Sequence, residues 1–175
     1  MQFTWVDYPA QHATEIDTWC DKAATEFALD NDTISEEHQE YLDEDYRPGY
    51  NYFCKVALEG ETPVALVMLT IDDDPSKEHL TEEIVNFETI LINPALRNRG
   101  YGAKVVMDII NHAPALIDHG HNVFVMQIHK DNAPSVALAK KLEFTFIPDE
   151  DEDTWFNWVY PPSAAARFQS LWEAL

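Results

Sequence analysis

The chain has 175 residues, and 11 Lys or Arg against 32 Asp or Glu give it a formal net charge of −21. Apolar residues make up 46% of the chain, which excludes wholesale disorder, and the length suffices for one domain whose core needs no disulfides. A surface this negative repels phosphate backbones, so nucleic acid is not an expected partner. Solubility or adaptation to a salty cytoplasm would explain the charge without any further function.

The sequence carries no signal for export, for membrane insertion or for disulfide formation. Cys20 and Cys54 have no CxxC spacing and lie in apolar surroundings, so we expect two reduced thiols. The first residues lack a basic stretch followed by an apolar one, and no apolar run approaches the 18 residues of a transmembrane helix. These patterns predict a cytoplasmic protein without a membrane partner.

The first half of the chain predicts a strand, two helical segments and a β-hairpin. The elements in chain order are a strand at 2–8, helical segments at 10–29 and 33–46, and strands at about 51–58 and 63–71. Apolar residues follow a helical period in the first helical segment, whereas the second is acidic, with Thr33 or Ser35 as its N-cap. The run Glu59-Gly60-Glu61-Thr62 is typical of a hairpin turn.

The second half alternates strands and helices before a final hairpin. Its elements are a strand at 84–92, a helix at 102–113, a strand at 123–128, a helix at 132–142, strands at 143–148 and 154–160, and a helix at 163–175. Antiparallel strands followed by helix-linked strands predict an α/β fold with a mixed sheet and helices on both faces. We expect one domain over 1–175, with its core at about 2–160 and a C-terminal helix at 161–175.

Two of the five glycines, Gly100 and Gly102, lie between an apolar strand and an apolar helix. Glycine lets a backbone turn tightly with exposed N–H groups, and a helix N-terminus adds N–H donors and the positive end of its dipole. Arg97 and Arg99 place two of the four arginines in the same turn. In so acidic a chain, this combination predicts an anion site, most naturally for a pyrophosphate. A plain β–α turn with two surface arginines is the alternative.

The same turn carries a family resemblance. Residues 92–103, INPALRNRGYGA, resemble the (Arg/Gln)-x-x-Gly-x-(Gly/Ala) signature of the GNAT acyl-CoA N-acetyltransferases, which follows a strand. Residues 132–144, NAPSVALAKKLEF, resemble the Asn-x-x-(Ser/Ala)-x-x-Leu-x-x-Lys-x-Gly-Phe block of that family. Two such motifs in this order, joined by a strand, are more specific than either alone. The order of elements also matches the family over about 2–160.

The resemblance implies a GNAT-like, mostly antiparallel sheet in which acyl-CoA lies between two splayed parallel strands, here 84–92 and 122–129. It implies acetyl-CoA as the donor. The pantetheine pairs with the backbone at the end of the first strand, the pyrophosphate lies on the following loop, and the start of the next helix contacts the pantetheine. The residues that these roles assign to acetyl-CoA are Leu91, Ile92, Arg97, Asn98, Arg99, Gly100, Tyr101, Gly102, Ala103, Asn132 and Ser135.

The sequence departs from the family pattern at two positions. Many members have a tyrosine general acid where this chain has Ala139, so that route for protonating the leaving thiolate is closed. Because a thiolate is a good leaving group, transfer can proceed without a dedicated acid, or with water or another tyrosine as the proton source. Glu143 replaces the usual glycine, which predicts a different C-cap for the preceding helix.

A general base must deprotonate the incoming ammonium, because only the free amine attacks a thioester. Glu88 is the candidate. It lies on the strand before the pyrophosphate loop and, by strand alternation, is expected to point to the same face as Ile90 and Ile92. Some members of the family that the chain resembles use a glutamate on this strand. A strand-edge glutamate without a catalytic role is the alternative.

The acceptor is expected to be a cationic primary amine, from a small molecule or a peptide. By resemblance, its site is lined by the helical region 9–46 and by the loop between the last two strands. Acidic residues concentrate at 36–45 and 149–153 in these two regions, and they would attract a cation. Ordinary solvated acidic faces are the alternative.

The sequence therefore predicts an N-acetyltransferase that passes an acetyl group directly from acetyl-CoA to a primary amine. The alternatives are a non-catalytic GNAT-fold module that binds acyl-CoA or regulates a partner, and an acidic protein that engages a basic partner. No metal is predicted, because His119-Gly120-His121 lacks a third ligand and the acidic runs 72–74 and 149–153 lack EF-hand spacing. A homodimer is left open.

Overall fold

The computed structural model describes residues 3–9, 11–27, 29–44, 46–72, 84–117, 123–148 and 154–172. The acidic run 149–153 and the histidines at 119 and 121 therefore lie outside the described residues. The elements in chain order are β1 (Thr4–Asp7), α1 (Ala13–Asp17), α2 (Lys22–Phe27), α3 (Ile34–Asp43), β2 (Tyr52–Glu59), β3 (Thr62–Asp72), β4 (Ile84–Ile92), α4 (Tyr101–Leu116), β5 (Val123–His129), α5 (Ala133–Lys141), β6 (Thr145–Ile147), β7 (Trp155–Tyr160) and α6 (Ala165–Trp172). None of the helices in these ranges has the length and apolar character needed to cross a membrane.

The described strands form one seven-stranded sheet in the order β1-β2-β3-β4-β5-β7-β6. Every neighbouring pair is antiparallel except β4 and β5, which are parallel and are joined through α4. The mixed, mostly antiparallel sheet predicted from the sequence is thereby confirmed. β4 spans the predicted residues 84–92, because an apolar run bounded by Asn93-Pro94 leaves little choice of end points.

Alternating side chains divide the sheet into two faces, each with its own cover. On the first face α4 and α5 pack against the strands through a core that includes Val105, Ile109 and Ala139. On the second face α1–α3 cover β1–β3 around Ile16 and Ile34, whereas α6 covers β5–β7. The cover of the second face therefore consists of two separate groups of helices, α1–α3 and α6.

The sequence predicted one helical segment over 10–29, whereas the structure has two helices in this range. The segment breaks into α1 and α2, because residues 18–21 leave the helix and Asp21 starts a new one. The carboxylate Oδ1 of Asp21 accepts the backbone N–H of Ala24 at 3.1 Å, as an N-cap does. The prediction of Thr33 or Ser35 as the cap of α3 resolves to Thr33, whose side chain accepts the N–H of Glu36.

The predicted change of C-cap at Glu143 is wrong. Glu143 has φ 62°, the left-handed conformation that glycine usually supplies at this position. The N–H of Phe144 bonds the carbonyl of Ala139 at 3.0 Å, and the N–H of Glu143 bonds that of Lys140 at 3.2 Å. These two bonds are those of a Schellman cap, so the helix ends in the usual way. Glu143 adopts the left-handed backbone conformation of this cap, which is strained for a residue with a Cβ.

Candidate active site

A gap opens in the sheet between β4 and β5. The two strands pair only from Ile84 opposite Val123 to Phe87 opposite Met126, and beyond these residues they separate. β5 remains paired with β7 as far as His129, so only the edge that faces β4 is left without a partner strand. The Ile92 carbonyl accepts Arg97 Nε, and the other backbone groups that 88–92 and 127–129 direct into the gap are available to a ligand that runs along it. This arrangement is the splayed parallel pair that the sequence predicted.

Glu88 is the extra residue of a β-bulge placed where the gap begins. Met68 pairs with Thr89 and Leu69 pairs with Phe87, so Glu88 has no opposite residue on β3. A bulge shifts by one residue the alternation of side chains between the two faces of the sheet. Ile90 and Ile92 consequently pack against the α4 face, whereas Glu88 bonds Thr70 on the opposite face. The expectation that Glu88 shares a face with these isoleucines is wrong.

The Glu88 carboxylate lies in a polar environment where the gap begins. Oε1 accepts a hydrogen bond from the hydroxyl of Thr70, and Thr70 in turn accepts one from the Asn86 amide at 3.4 Å. The side chain reaches solvent, yet the protein around it is dense enough that burial is the largest cause raising the pKa of Glu88. The hydroxyls of Thr70 and Tyr41 lower that pKa in part, and the nearby charge of Glu37 raises it further.

α3 brings Tyr41 beside Glu88 in a fixed orientation. The Tyr41 ring stacks on Tyr52, with centroids 5.0 Å apart and planes 9° apart, and it contacts the ring of Tyr46 at 5.1 Å. Tyr52 is fully buried and lies directly opposite Thr70 in the β2–β3 pairing, which accounts for the position of Tyr41 beside Glu88. α3 itself is anchored by buried Glu37, which accepts the backbone N–H groups of Asp30 and Asn31 at 3.0 Å.

Polar side chains interrupt the apolar second face of the sheet in one place, here termed the polar window. It lies between the cover given by α1–α3 and the cover given by α6. Its members share that face and come from three adjacent strands: Thr70, Asn86, Glu88 and Gln127. On the next strand, the buried polar residue Asn157 lies directly opposite Gln127 on the same face. Glu88 and Gln127 are exposed there, so a polar ligand can reach the start of the gap from this side.

The loop after β4 presents backbone donors at the other end of the gap. Gly100 has φ 81° and forms the N-cap of α4 without a side-chain hydrogen bond. The first intrahelical bond runs from the N–H of Lys104 to the carbonyl of Gly100, so the N–H groups of Tyr101, Gly102 and Ala103 have no partner within the helix. They lie at the positive end of a 16-residue helix, which favours a bound anion.

Some of the side chains predicted to bind the donor from this loop form hydrogen bonds within the protein, and others are exposed to solvent. The Arg97 guanidinium is engaged: it donates to the carbonyls of Ile92 and Trp19, each at 3.2 Å, and to the carboxylate of Asp21. Tyr101 donates to Glu59 at 2.9 Å, away from the helix N-terminus. Arg99 is exposed and forms no ion pair with any residue in the described ranges, so it can meet an anion.

α5 begins beside the end of β5. The Asn132 side-chain oxygen caps this helix by accepting the N–H of Ser135 at 3.3 Å, which leaves the amide NH₂ of Asn132 as the group that could contact a ligand. Ala139, in the position of the usual tyrosine acid, is fully buried in the core. No hydroxyl therefore comes from this position of α5. Across the described residues, no cluster of three His, Cys, Asp or Glu side chains could hold a metal ion.

α2 crosses the open end of the gap. Near its start, the Trp19 carbonyl and the Asp21 carboxylate bind Arg97, whose Nε bonds the carbonyl of Ile92 at the end of β4. At its end, the Phe27 ring contacts His129, the last residue of β5, at 5.4 Å between centroids. His129 also contacts Trp155 at 5.1 Å. α2 thus connects the separated ends of β4 and β5.

Sequence reasoning missed four residues of this site. Tyr41 reaches Glu88 only through the packing of α3, and no short-range pattern predicts that contact. Thr70, Asn86 and Gln127 did carry a signal, because each is a polar residue within an otherwise apolar strand. Aligning the polar positions of adjacent strands would have indicated the polar window.

Comparisons with known proteins agree with this geometry. A family model for the acetyltransferase (GNAT) family matches residues 14–144. No curated protein sequence matches the chain. Among solved structures, an aminoglycoside N(6′)-acetyltransferase from Legionella pneumophila has a TM-score of 0.68 and 14% identity, covering 91% of both chains.

Two further structures have the same fold. A Bacillus subtilis acetyltransferase in complex with CoA has a TM-score of 0.58 and 13% identity, covering 90% of this chain and 96% of the other. The ribosomal-protein-S18-alanine N-acetyltransferase of Escherichia coli has a TM-score of 0.56 and 13% identity, covering 90% and 92%. At such identities the likeness concerns the fold, whereas the family match spans most of the sequence. The chain therefore belongs to the GNAT family and is an acetyltransferase.

Proposed function

We propose that this acetyltransferase uses acetyl-CoA and passes the acetyl group directly to a primary amine that enters through the polar window. The observation that carries the proposal is the β-bulge at Glu88, which places a carboxylate of raised pKa where β4 and β5 separate. A base with a pKa nearer neutrality than an ordinary carboxyl group is suited to proton transfer from an ammonium ion.

The donor would lie along the gap and end at the helix N-terminus. The pantetheine amides can pair with the backbone groups of β4 that point away from β3, those of Ile90 and the N–H of Ile92. The backbone of Leu91 is paired with Leu66 of β3 and the Ile92 carbonyl accepts Arg97, so the predicted contact of the donor with the Leu91 backbone is wrong. The pyrophosphate can accept the N–H groups of residues 101–103, with Arg99 as an exposed cation. The Asn132 amide lies at the start of the next helix, on the other side of the gap. The Bacillus subtilis neighbour is a complex with CoA, which supports this choice of donor.

The chemical step needs few groups. The amine nitrogen loses a proton to Glu88 and attacks the thioester carbon, the C–S bond breaks, and CoA leaves as a thiolate. The pairing of β4 with β5 ends at Phe87, and we propose that a backbone N–H of β4 beyond this point stabilises the negative charge on the carbonyl oxygen. A thiol with an ordinary pKa of about 8.5 is a competent leaving group, so solvent suffices to protonate it where Ala139 offers no acid.

The acceptor is proposed to carry more than one positive charge. Glu88 and the acidic exposed side of α3, which includes Glu36, Glu40 and Asp43, belong to the same side of the sheet in a chain of net charge −21. Such a field raises the local concentration of cations and their association rate. Two solved neighbours are named for an aminoglycoside and for an alanine of a ribosomal protein, so both small amines and peptides belong in a test.

The test is a screen of CoA release with acetyl-CoA and a panel of polyamines, aminoglycosides, amino acids and peptides. We expect acetylation of polycationic amines, with kcat/KM falling as salt rises and kcat nearly constant. Matched monoamines are the controls, and their kcat/KM should be lower and less dependent on salt. Acetyl-CoA binding without CoA release across the panel would instead favour a non-catalytic binding module.

A further inference from the structure

Arg97 lies in the predicted pyrophosphate loop, yet its side chain serves another purpose. All three guanidinium nitrogens donate within the protein, to Ile92, to Asp21 and to Trp19. These partners belong to the end of β4 and to the segment that leads into α2. Three of the five guanidinium N–H donors are used in this way, so at most two remain for a phosphate group.

The Arg97–Asp21 ion pair fixes one end of α2. Oδ1 of Asp21 caps the helix through the N–H of Ala24, and Oδ2 binds Arg97, so one carboxylate both starts the helix and attaches it. The other end of α2 is held by the packing of Phe27 on His129. With its ends at β4 and β5, this six-residue helix lies across the open end of the gap on the face opposite α4.

We propose that Arg97 and Asp21 are positioning residues that hold α2 over the pantetheine arm of bound acyl-CoA and thereby slow its escape from the gap. This inference rests on the proposed function, because it takes the gap to be the site of the donor. It assigns the Arg97 side chain to the retention of the ligand rather than to recognition of its phosphates. The phosphate site then depends on backbone N–H groups and Arg99.

Asp21→Asn is the most selective variant. Asparagine caps a helix as well as aspartate does, so α2 should form, but the charge that binds Arg97 is removed. We expect acetyl-CoA to dissociate about threefold faster, since a partly exposed ion pair contributes modestly. Arg97→Gln loses all three bonds, and we expect dissociation about tenfold faster. The double variant should resemble Arg97→Gln alone, because both changes remove the same ion pair.

The measurements are stopped-flow displacement of acetyl-CoA by excess CoA, and amide exchange of peptides that cover Lys22–Phe27. Exchange in α2 should rise in both variants, with or without ligand. Asp7→Asn is the matched control: it removes the Asp7–Lys55 ion pair on β1 and β2, far from the gap, and should change neither readout.

S-acetylpantetheine, which lacks the pyrophosphate, separates retention from phosphate binding. If α2 retains the arm, Arg97→Gln should weaken S-acetylpantetheine and acetyl-CoA by the same factor. A loss confined to acetyl-CoA would overturn the inference and make Arg97 a phosphate ligand, and wild-type dissociation in Asp21→Asn would overturn it too. If neither ligand binds the wild-type chain, the proposed function fails and the retention role fails with it. Amide exchange would then still show whether the ion pair fixes α2.

Discussion

The donor side and the acceptor side that we propose for the gap are built in different ways. The donor side consists of two short segments, 91–103 and 132–135, whose contribution is mostly backbone N–H and carbonyl groups at a strand edge and at helix starts. The acceptor side consists of side chains that meet over long distances in sequence, such as Tyr41 beside Glu88 and Phe27 against His129. A backbone site tolerates most substitutions that keep the turn, whereas a side-chain site depends on individual groups.

Replacing the carboxylate of the acceptor side should have the largest effect on activity. Glu88→Gln keeps the size of the side chain but cannot accept a proton, so we expect kcat to fall by about 10²–10⁴. The loss should shrink at high pH, where more of the amine arrives already deprotonated. Acetyl-CoA affinity, measured by calorimetry, should stay within about twofold, because the contacts expected from β4 to the donor are those of its backbone.

The pH profile of the wild-type enzyme tests the same group. If Glu88 is the base, activity needs its ionised form, and burial raises its pKa above the ordinary value of 4.5. The value of kcat/KM should therefore fall as pH drops through that raised pKa, at a higher pH than for an exposed glutamate. A wild-type kcat in Glu88→Gln at neutral pH would contradict the role and favour a water chain as the base.

The donor side should respond to the size of residue 102 rather than to its chemistry. A Cβ at Gly102 would lie 3.5 Å from Cδ2 and 3.8 Å from Cδ1 of Leu138, which is ordinary contact. Gly102→Ala should therefore fold normally and bind acetyl-CoA within about twofold of wild type. Gly102→Val adds branched carbons at the helix start, and we expect at least a tenfold loss of affinity, about 1.4 kcal/mol.

Calorimetric titration of the two Gly102 variants with acetyl-CoA measures the effect on the donor side, and circular dichroism checks that both variants fold. Equal affinity in wild type and Gly102→Val would remove residues 100–103 from the cofactor site. An equally large loss in Gly102→Ala would show that the site depends on more than backbone access.

The contrast between the two sides also explains what the sequence could predict. The donor side follows from contiguous signals: a strand at 84–92, glycines in the turn and a helix behind them, all confirmed as elements of structure. The face of Glu88 could not be predicted, because the bulge that reverses it depends on the pairing of β3 with β4 and has no local signal. The ion pair of Arg97 could not be predicted either, because its partner Asp21 lies 76 residues earlier in the sequence.

The smallest predicted effect concerns stability alone, at a position remote from the gap. Glu143 holds φ 62°, a conformation that costs a residue with a Cβ roughly 1–2 kcal/mol, partly offset by the greater freedom of glycine when unfolded. Glu143→Gly should raise the free energy of unfolding by about 1 kcal/mol, or about 2–4 °C in Tm for a chain of this size. Glu143→Ala is the matched control, because both variants remove a negative charge from the C-terminal end of α5 but only glycine relieves the backbone. Thermal unfolding should rank glycine above alanine with kcat/KM unchanged, and equal Tm values for the two variants would show that the cap is not strained.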